Sequence, residues 1–232
     1  MEVYWLVQDA GGVPEDDAWL GVRERAVLAS LRIAKRRSDW RLGRWTAKLA
    51  IAAYRRLPPR TEALAAIEVR PAPSGAPAAF FRGQPAGLTM SLSHSHGVGF
   101  CVLGGNGTEL GCDVERVELR SLAFLQDFFS GEEVELVLRS PAEERDRMTT
   151  LIWSAKESTL KAIGCGLRSD TRAALVNFEP GWRDGGWSAL RVRYSGRIFQ
   201  GWRRQRGDFV FTMVANPAVK RPAALYGLVG IV

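Results

Sequence analysis

The sequence predicts an α+β protein built from two similar lobes. Apolar residues recur at helical spacing in the first third of the chain, and strand-like segments then alternate with turns. The second half follows the same order, with a strand, a set of helices and a run of strands. We therefore expect an N-terminal lobe over residues 1–107 and a C-terminal lobe over residues 108–232. Sequence identity between the halves is too weak to identify a repeat.

The N-terminal lobe is predicted to combine two helices with four strand segments, of which the last two are paired. Its elements in order are a strand over 1–9, helices over 18–33 and 37–56, a short strand over 66–69, and paired strands over 88–93 and 97–103. The second helix has Leu42, Trp45 and Leu49 on one face and stops at Pro58-Pro59. Residues 71–87 are rich in Pro, Gly and Ala and are predicted to form a loop.

The C-terminal lobe is predicted to place helices before a meander of strands. Its elements in order are a strand over 110–114, helices over 120–128, 131–139 and 143–163, and strands over 173–179, 188–194, 197–203 and 209–215. With 232 residues and 46% hydrophobic side chains, the chain is long enough to bury a sizeable core.

Composition argues against several classes of protein. The three cysteines are odd in number and lack CxxC spacing, so neither a disulfide framework nor a thiolate zinc site is expected. No signal peptide opens the chain, and no apolar run is long enough to span a membrane. We expect a cytoplasmic protein.

The charge distribution indicates an anionic ligand and a cation. Net charge is +7, yet residues 21–60 hold twelve Lys/Arg and two acids, whereas residues 109–160 hold twelve acids and six bases. The first segment favours an anionic partner, and the second is able to hold a cation. A phosphate ligand with a metal ion fits both.

Two motifs carry the acidic chemistry. In GCDVE (111–115), Asp113 and Glu115 point to the same face of a strand, and paired carboxylates favour a cation between them. In WSAKESTLKAIGCGL (153–167), Glu157 and Lys161 lie one helical turn apart. Taken singly, the first motif is better explained as solvated strand-edge acids and the second as a surface ion pair.

Two further motifs carry basic groups. His94 and His96 lie in SLSHSHG at a strand end, where a third soft ligand for zinc is missing, so His94 is either a phosphate contact or a turn residue. In KRRSDWRLGRWTAK, Arg37, Arg41, Arg44 and Lys48 recur at spacings of three and four, which aligns them on one helix face. They form either an anion-binding wall or a solvated helix face.

In this order and spacing, the motifs resemble the 4′-phosphopantetheinyl transferases of the surfactin (Sfp) type. That family has a Gly-x-Asp-x-Glu block and, further along, a Trp/Phe-Ser-x-Lys-Glu block; here 39 residues separate Asp113 from Trp153. The stretch SLSHS at 91–95 is similar to the family's Ser-His-Ser element. The resemblance covers residues 20–165, and the chain length matches the double-lobed members.

The resemblance implies the fold of that family, two lobes in a pseudo-twofold arrangement with the active site between them. It also implies an Mg²⁺-dependent transferase that moves 4′-phosphopantetheine from coenzyme A to a serine of an apo acyl or peptidyl carrier protein. The second product is 3′,5′-adenosine bisphosphate. The pathways served would be fatty acid, polyketide or nonribosomal peptide biosynthesis.

Site residues follow by the same resemblance. The implied Mg²⁺ ligands are Asp113, Glu115 and Glu157, and the implied catalytic residues are Glu157, Lys161 and Asp113. Either Glu157 or a metal-activated water serves as the general base. The implied coenzyme A contacts are Arg37, Arg41, Arg44, Pro77, Ser93, His94, Lys156 and Lys161. One departure is Gly75-Ala76-Pro77, because similar members have Gly-Lys-Pro there.

The implied partners are coenzyme A and acidic apo carrier proteins. The apolar stretch 117–129 follows the metal strand. Either all of its large apolar side chains are buried, or, as the resemblance implies, this region meets the carrier, with Leu119 or Leu122 as the exposed contact. The alternatives are a nucleic-acid-binding module, although its recognition motifs are missing, and a coenzyme A-binding scaffold without activity. We expect a monomer with no nucleic acid or membrane partner.

Overall fold

The computed structural model describes residues 1–166, 169–180 and 185–225, and the chain divides into two compact units. The N-terminal unit comprises residues 2–107 together with 222–225, and the C-terminal unit comprises Met1 and residues 108–221. The prediction that residues after 221 belong to the C-terminal lobe is wrong for 222–225. Those residues include a short strand, Ala223–Ala224, that pairs with the opening strand of the chain. Residues 226–232 lie outside the described residues, as does Leu167 of the 153–167 motif.

The N-terminal unit packs helices against two small sheets. Its helices are α1 (Val22–Ser30), α2 (Ala34–Tyr54) and α3 (Thr61–Ala65). Its strands are β1 (Val3–Asp9), β2 (Ile67–Pro71), β3 (Pro77–Phe81), β4 (Gln84–Pro85), β5 (Leu88–Ser95), β6 (Val98–Gly105) and the chain-end strand β12 (Ala223–Ala224). The strand orders are β12-β1-β6-β5 in one sheet and β2-β3-β4 in the other.

Helix α2 forms the centre of the N-terminal core. Its apolar stripe, which includes Leu42, Leu49 and Ile51, is almost fully buried, as helical periodicity predicts. The loop predicted over 71–87 is wrong in part, because β3 and β4 lie within it. Gly75 adopts a left-handed conformation and turns the chain between β2 and β3, so the Pro- and Gly-rich composition marks turns rather than a whole loop.

The C-terminal unit has one sheet with a long helix across it. Its helices are α4 (Leu122–Phe128), α5 (Gly131–Arg139) and α6 (Arg145–Ala162). Its strands are β7 (Glu109–Arg116), β8 (Leu175–Phe178), β9 (Ser188–Tyr194), β10 (Arg197–Arg206) and β11 (Phe209–Asn216), in the order β7-β11-β10-β9-β8. Helix α6 packs mainly on β7 and β11. The predicted α+β class is confirmed, and each predicted element of this unit is present. Helix α5 and strand β9 have the predicted ends, whereas each of the other elements has at least one shifted end.

Hydropathy indicates whether a helix of this fold is able to span a membrane. In the ranges that the structure describes, no helix is both long enough and apolar enough to cross a bilayer.

Candidate active site

Strand β7 and helix α6 bring a carboxylate and an ammonium group into contact. Asp113, in the middle of β7, is only 3% exposed, and its Oδ1 accepts a hydrogen bond from Lys161 Nζ at 2.7 Å. Burial alone lowers the pKa of Lys161, but the charges of Asp113, Cys112 and Glu157 outweigh burial and the net pKa shift is upward. Lys161 is therefore held as a cation beside a buried carboxylate.

Glu157 lies one turn before Lys161 on α6 and faces the same group of charges. Its pKa is raised above the ordinary value, first by burial and then by the negative charge of Asp113, while Lys161 acts in the opposite direction. A buried carboxylate whose pKa is raised by a neighbouring negative charge favours a bound cation. The predicted pairing of the two motifs therefore rests on a direct electrostatic contact.

The third predicted ligand, Glu115, lies two residues from Asp113 on β7 and is nearer to Arg120, with 4.0 Å between carboxylate and guanidinium. Among residues 1–166, 169–180 and 185–225, no three His, Cys, Asp or Glu side chains gather closely enough to hold a metal ion. The predicted trio is thus not assembled around one point. Mg²⁺ is commonly held by one or two carboxylates, with water and substrate phosphate completing its shell. The donor chemistry of Asp113 and Glu157 fits that description.

Small residues explain why α6 lies so close to the sheet. A Cβ atom on Gly111 of β7 would overlap the Ser158 carbonyl oxygen and lie 2.6 Å from the Ala162 nitrogen. On the neighbouring strand β11, the Thr212 hydroxyl is 2.8 Å from the hydroxyls of both Ser154 and Ser158. The glycine and serines of the two motifs therefore fix the distance between the carboxylates of β7 and α6.

Lys156 is not placed to bind coenzyme A, so that prediction needs correction. Its side chain is fully buried, and its Nζ donates to the carbonyl oxygens of Thr171 at 2.9 Å and Ala174 at 2.7 Å. Its third contact is an ion pair with the Glu133 carboxylate at 2.7 Å. These three contacts match the three hydrogens of an ammonium group. Lys156 points away from solvent because it is about 100° around the helix from Glu157.

In the N-terminal unit, Arg44 lines a cavity of about 410 Å³. The cavity is bounded by Arg23, Glu24, Val27, Trp40, Arg44, Val69, Arg70, Pro71, Gly75, Pro77 and Leu92. Two predicted coenzyme A contacts, Arg44 and Pro77, therefore meet in one cavity. Sequence reasoning missed Arg23, Trp40 and Arg70, and a signal for Arg70 was its place beside the turn that contains Gly75.

Burial makes the Arg44 guanidinium a favourable position for an anion. Its side chain is 16% exposed, and burial lowers its pKa below the ordinary value, opposed by the charge of Glu24. The Glu24 carboxylate is 3.9 Å away, and the guanidinium lies over the Trp40 ring at 4.7 Å from the centroid. A desolvated cation with a distant counter-ion gains from a second negative charge.

Arg37 and Arg41 do not share this cavity, although helical spacing predicted one basic face. Both line a separate cavity of about 340 Å³. The guanidinium of Arg37 donates to the carbonyl oxygens of Leu28 and Leu31, and that of Arg41 donates to carbonyl oxygens in residues 14–16. These two arginines connect α2 to the preceding chain, so the predicted single wall is wrong.

The Ser-His-Ser strand lies against the same part of α2. Ser93 is buried on β5, whereas His94 is exposed. Gly43 of α2 approaches this strand so closely that a Cβ atom there would lie 3.2 Å from Leu92 and 3.7 Å from His94. Leu92 lines the Arg44 cavity, and His94 lies two residues further along β5, beside Gly43, which precedes Arg44 on α2.

Comparisons with known proteins agree with these motifs. The model of the 4′-phosphopantetheinyl transferase superfamily matches residues 109–213. The chain is 34% identical over 102 residues to the 4′-phosphopantetheinyl transferase HetI of Nostoc sp. (strain PCC 7120), and that match covers 41% of each protein. It is 35% identical over 103 residues to the 4′-phosphopantetheinyl transferase psf-1 of Bacillus pumilus, covering 44% of this chain and 41% of the relative. The matches thus span about two fifths of each relative's length.

Proposed function

Residues 109–213 carry the 4′-phosphopantetheinyl transferase superfamily match, which confirms the resemblance to that family, and on this premise we propose the activity. The protein transfers 4′-phosphopantetheine from coenzyme A to a serine of an apo acyl or peptidyl carrier protein. The observation that carries this proposal is the hydrogen bond from Lys161 of α6 to Asp113 of β7, with Glu157 one helical turn before Lys161 and within the electrostatic influence of both. It places acidic and basic groups together in a form suited to a phosphate ester and a hard cation.

The adenosine end of coenzyme A is assigned to the N-terminal unit. Arg44 receives the 3′-phosphate, because a buried guanidinium gains most from an added anion. Pro77 bounds the same cavity, and Ser93 and His94 lie on the adjoining strand. Arg70 lines the cavity as well and supplies a cation near Ala76, where similar family members have lysine.

The pyrophosphate chemistry is assigned to the C-terminal unit. Asp113 and Glu157 would hold Mg²⁺, with Glu115 as a third carboxylate from the same strand. When bound, Mg²⁺ would neutralise charge on the pyrophosphate oxygens. Lys161 keeps its proton and donates to a phosphate oxygen as negative charge develops there.

The reaction is a single displacement at phosphorus. The carrier serine oxygen attacks the β-phosphorus of coenzyme A, a new P–O bond forms, and the bond to 3′,5′-adenosine bisphosphate breaks. Glu157 is the carboxylate that would accept the serine proton as general base. The bond electrons leave with the bisphosphate.

The carrier surface is assigned to the segment after β7. Leu119 is 83% exposed and Leu122 is 54% exposed, so both are accessible to a partner protein. Arg116 and Arg120 flank them and would attract an acidic carrier. We also propose a cytoplasmic monomer that serves fatty acid, polyketide or nonribosomal peptide synthesis.

Label transfer from a fluorescent coenzyme A analogue to an apo carrier protein tests the proposal. We expect labelling only with Mg²⁺ present and none with Asp113→Asn, which keeps the shape of the side chain and removes its charge. Glu135→Ala is the matched control, because that carboxylate is exposed on α5 in the same unit. Equal labelling by the Asp113→Asn protein, or labelling without a divalent cation, would overturn the metal assignment. No labelling by the native protein of any carrier would overturn the activity.

A further inference from the structure

The two units contain four-residue sequences that differ at one position, at the centre of their long helices. Residues 45–48 of α2 read WTAK, and residues 153–156 of α6 read WSAK. Both segments end in a lysine that is completely buried within its helix, Lys48 in one unit and Lys156 in the other. Buried lysines are rare and are retained only with full pairing, so two of them at matching positions are informative.

The two lysines make the same kinds of contact. Lys48 Nζ donates to the carbonyl oxygens of Trp19, Leu64 and Ile67 and pairs with the Glu24 carboxylate at 2.6 Å. Lys156 donates to two carbonyl oxygens and pairs with Glu133. In each unit the ammonium group thus joins the long helix to backbone on both sides of it.

The two glutamates also correspond. Glu24 Oε2 accepts from the Gly21 amide at the start of α1, and its Oε1 accepts from the Val69 amide of β2. Glu133 does the same, capping α5 through Ser130 and bonding the Val176 amide of β8. Each carboxylate therefore connects a helix start, a strand and the buried lysine.

The residues that follow the lysine differ between the units. Leu49 and Ala53 of α2 stand at the positions that Glu157 and Lys161 occupy on α6, one and five residues after the lysine. The buried pair is thus present on a helix whose next residue is a buried leucine instead of a carboxylate. Its contribution is to fix the position and rotation of the helix, independently of any catalytic group.

We infer that Lys156 and Glu133 act as positioning residues for Glu157 and Lys161, and that Lys48 and Glu24 do the same for Arg44. The inference rests on the proposed function for its kinetic consequence. On α6, the pair holds the side of the helix next to Glu157, while Thr212 holds Ser154 and Ser158. On α2, Glu24 itself borders the Arg44 cavity, so the position of Arg44 depends on the Lys48 pair.

Matched methionine variants separate positioning from direct contact. Lys156→Met and Lys48→Met each remove one buried ammonium group, and both should lower the melting temperature. Below the transition, Lys156→Met should lower kcat by about tenfold or more, because small displacements at the reacting atoms are costly. Its Kd for coenzyme A, measured by calorimetry, should stay near the native value. Lys48→Met should show the opposite pattern, with a raised Kd and a nearly native kcat at saturating coenzyme A.

Other results would contradict the inference. A raised Kd for coenzyme A in Lys156→Met would indicate a direct phosphate contact instead. If kcat falls in both Lys156→Met and Lys48→Met, and only in proportion to the fraction of folded protein, the buried lysines contribute to stability alone. If Lys156→Met does not fold, Glu133→Gln is measured in its place, because the amide still accepts from Val176, and the same kcat loss with unchanged Kd is required.

A separate measurement distinguishes failure of the proposed function from failure of the positioning inference. If the native protein labels no carrier, the activity proposal fails. Positioning is then decided by amide hydrogen exchange: Lys156→Met should increase exchange in α6 and leave α2 protected, and Lys48→Met should do the reverse. Uniform increases in both variants would overturn it.

Discussion

Replacing Gly111 by alanine should damage the candidate active site without touching any charged group. The added methyl group would overlap the Ser158 carbonyl oxygen and approach the Ala162 nitrogen to 2.6 Å. Both are main-chain atoms of α6, so neither is able to rotate aside, and the helix must move away from β7. Overpacking of this kind costs about 1–3 kcal/mol, and the rigid partners favour the upper end.

The same movement would separate Glu157 from Asp113. A misplacement of about 1 Å at a reacting group costs roughly 10²-fold in rate, so Gly111→Ala should lose that much kcat while remaining folded. Chemical denaturation gives the stability change, and transfer of a fluorescent coenzyme A analogue to an apo carrier gives kcat. The control is Gly131→Ala on α5, where an added Cβ meets nothing within 4 Å. Native stability and native turnover in Gly111→Ala would refute the close-packing explanation.

Three further outcomes are expected. Arg44→Ala should abolish the preference for coenzyme A over dephospho-coenzyme A, since a charge-assisted contact contributes roughly 1.5–3 kcal/mol. If calorimetry finds this preference intact in the variant, Arg44 is not the residue that binds the 3′-phosphate. Leu119→Ala or Leu122→Ala should raise only the KM for the carrier protein. The control Leu125→Ala, at a residue that is 4% exposed, should instead cost about 2–5 kcal/mol of stability. Unchanged carrier kinetics in both exposed variants would place the docking surface elsewhere. Because the pKa of Glu157 is raised, the folded state binds more protons than the unfolded chain, so the free energy of unfolding should fall as pH rises from the ordinary glutamate pKa through the raised one. This dependence of stability on pH should disappear in Glu157→Gln. Identical stability profiles for the native protein and the variant would argue against the pKa shift.

The order of elements was predictable because apolar spacing records which face of a segment is buried. Leu42 and Leu49 mark the buried face of α2, and alternation in residues 88–105 marks two paired strands. The pairing of Asp113 with Lys161 was accessible through motif resemblance, since 48 residues separate the two positions. Local pattern alone left both as ordinary surface charges.

The placement of several charged residues was not predictable from periodicity. A buried lysine and an exposed one look alike in sequence, and Lys156 is buried only because Glu133 and two carbonyl oxygens surround it. Arg37 and Arg44 follow the same helical spacing, yet one bonds to nearby carbonyl oxygens and the other lines a cavity. Tertiary contacts decide these outcomes. The repeated WTAK and WSAK sequences were a usable signal for the buried lysines.

The short strand β12 has a consequence for synthesis of the chain. It pairs in parallel with β1, whose other edge is occupied by β6. During translation, β1 emerges first, and residues 223–224 emerge only after the whole C-terminal unit. One hydrogen-bonding edge of VYWLVQD therefore stays open to other nascent chains throughout that interval. Deleting residues 222–225 would make that exposure permanent, so the damage would appear as aggregation through the first strand of the protein.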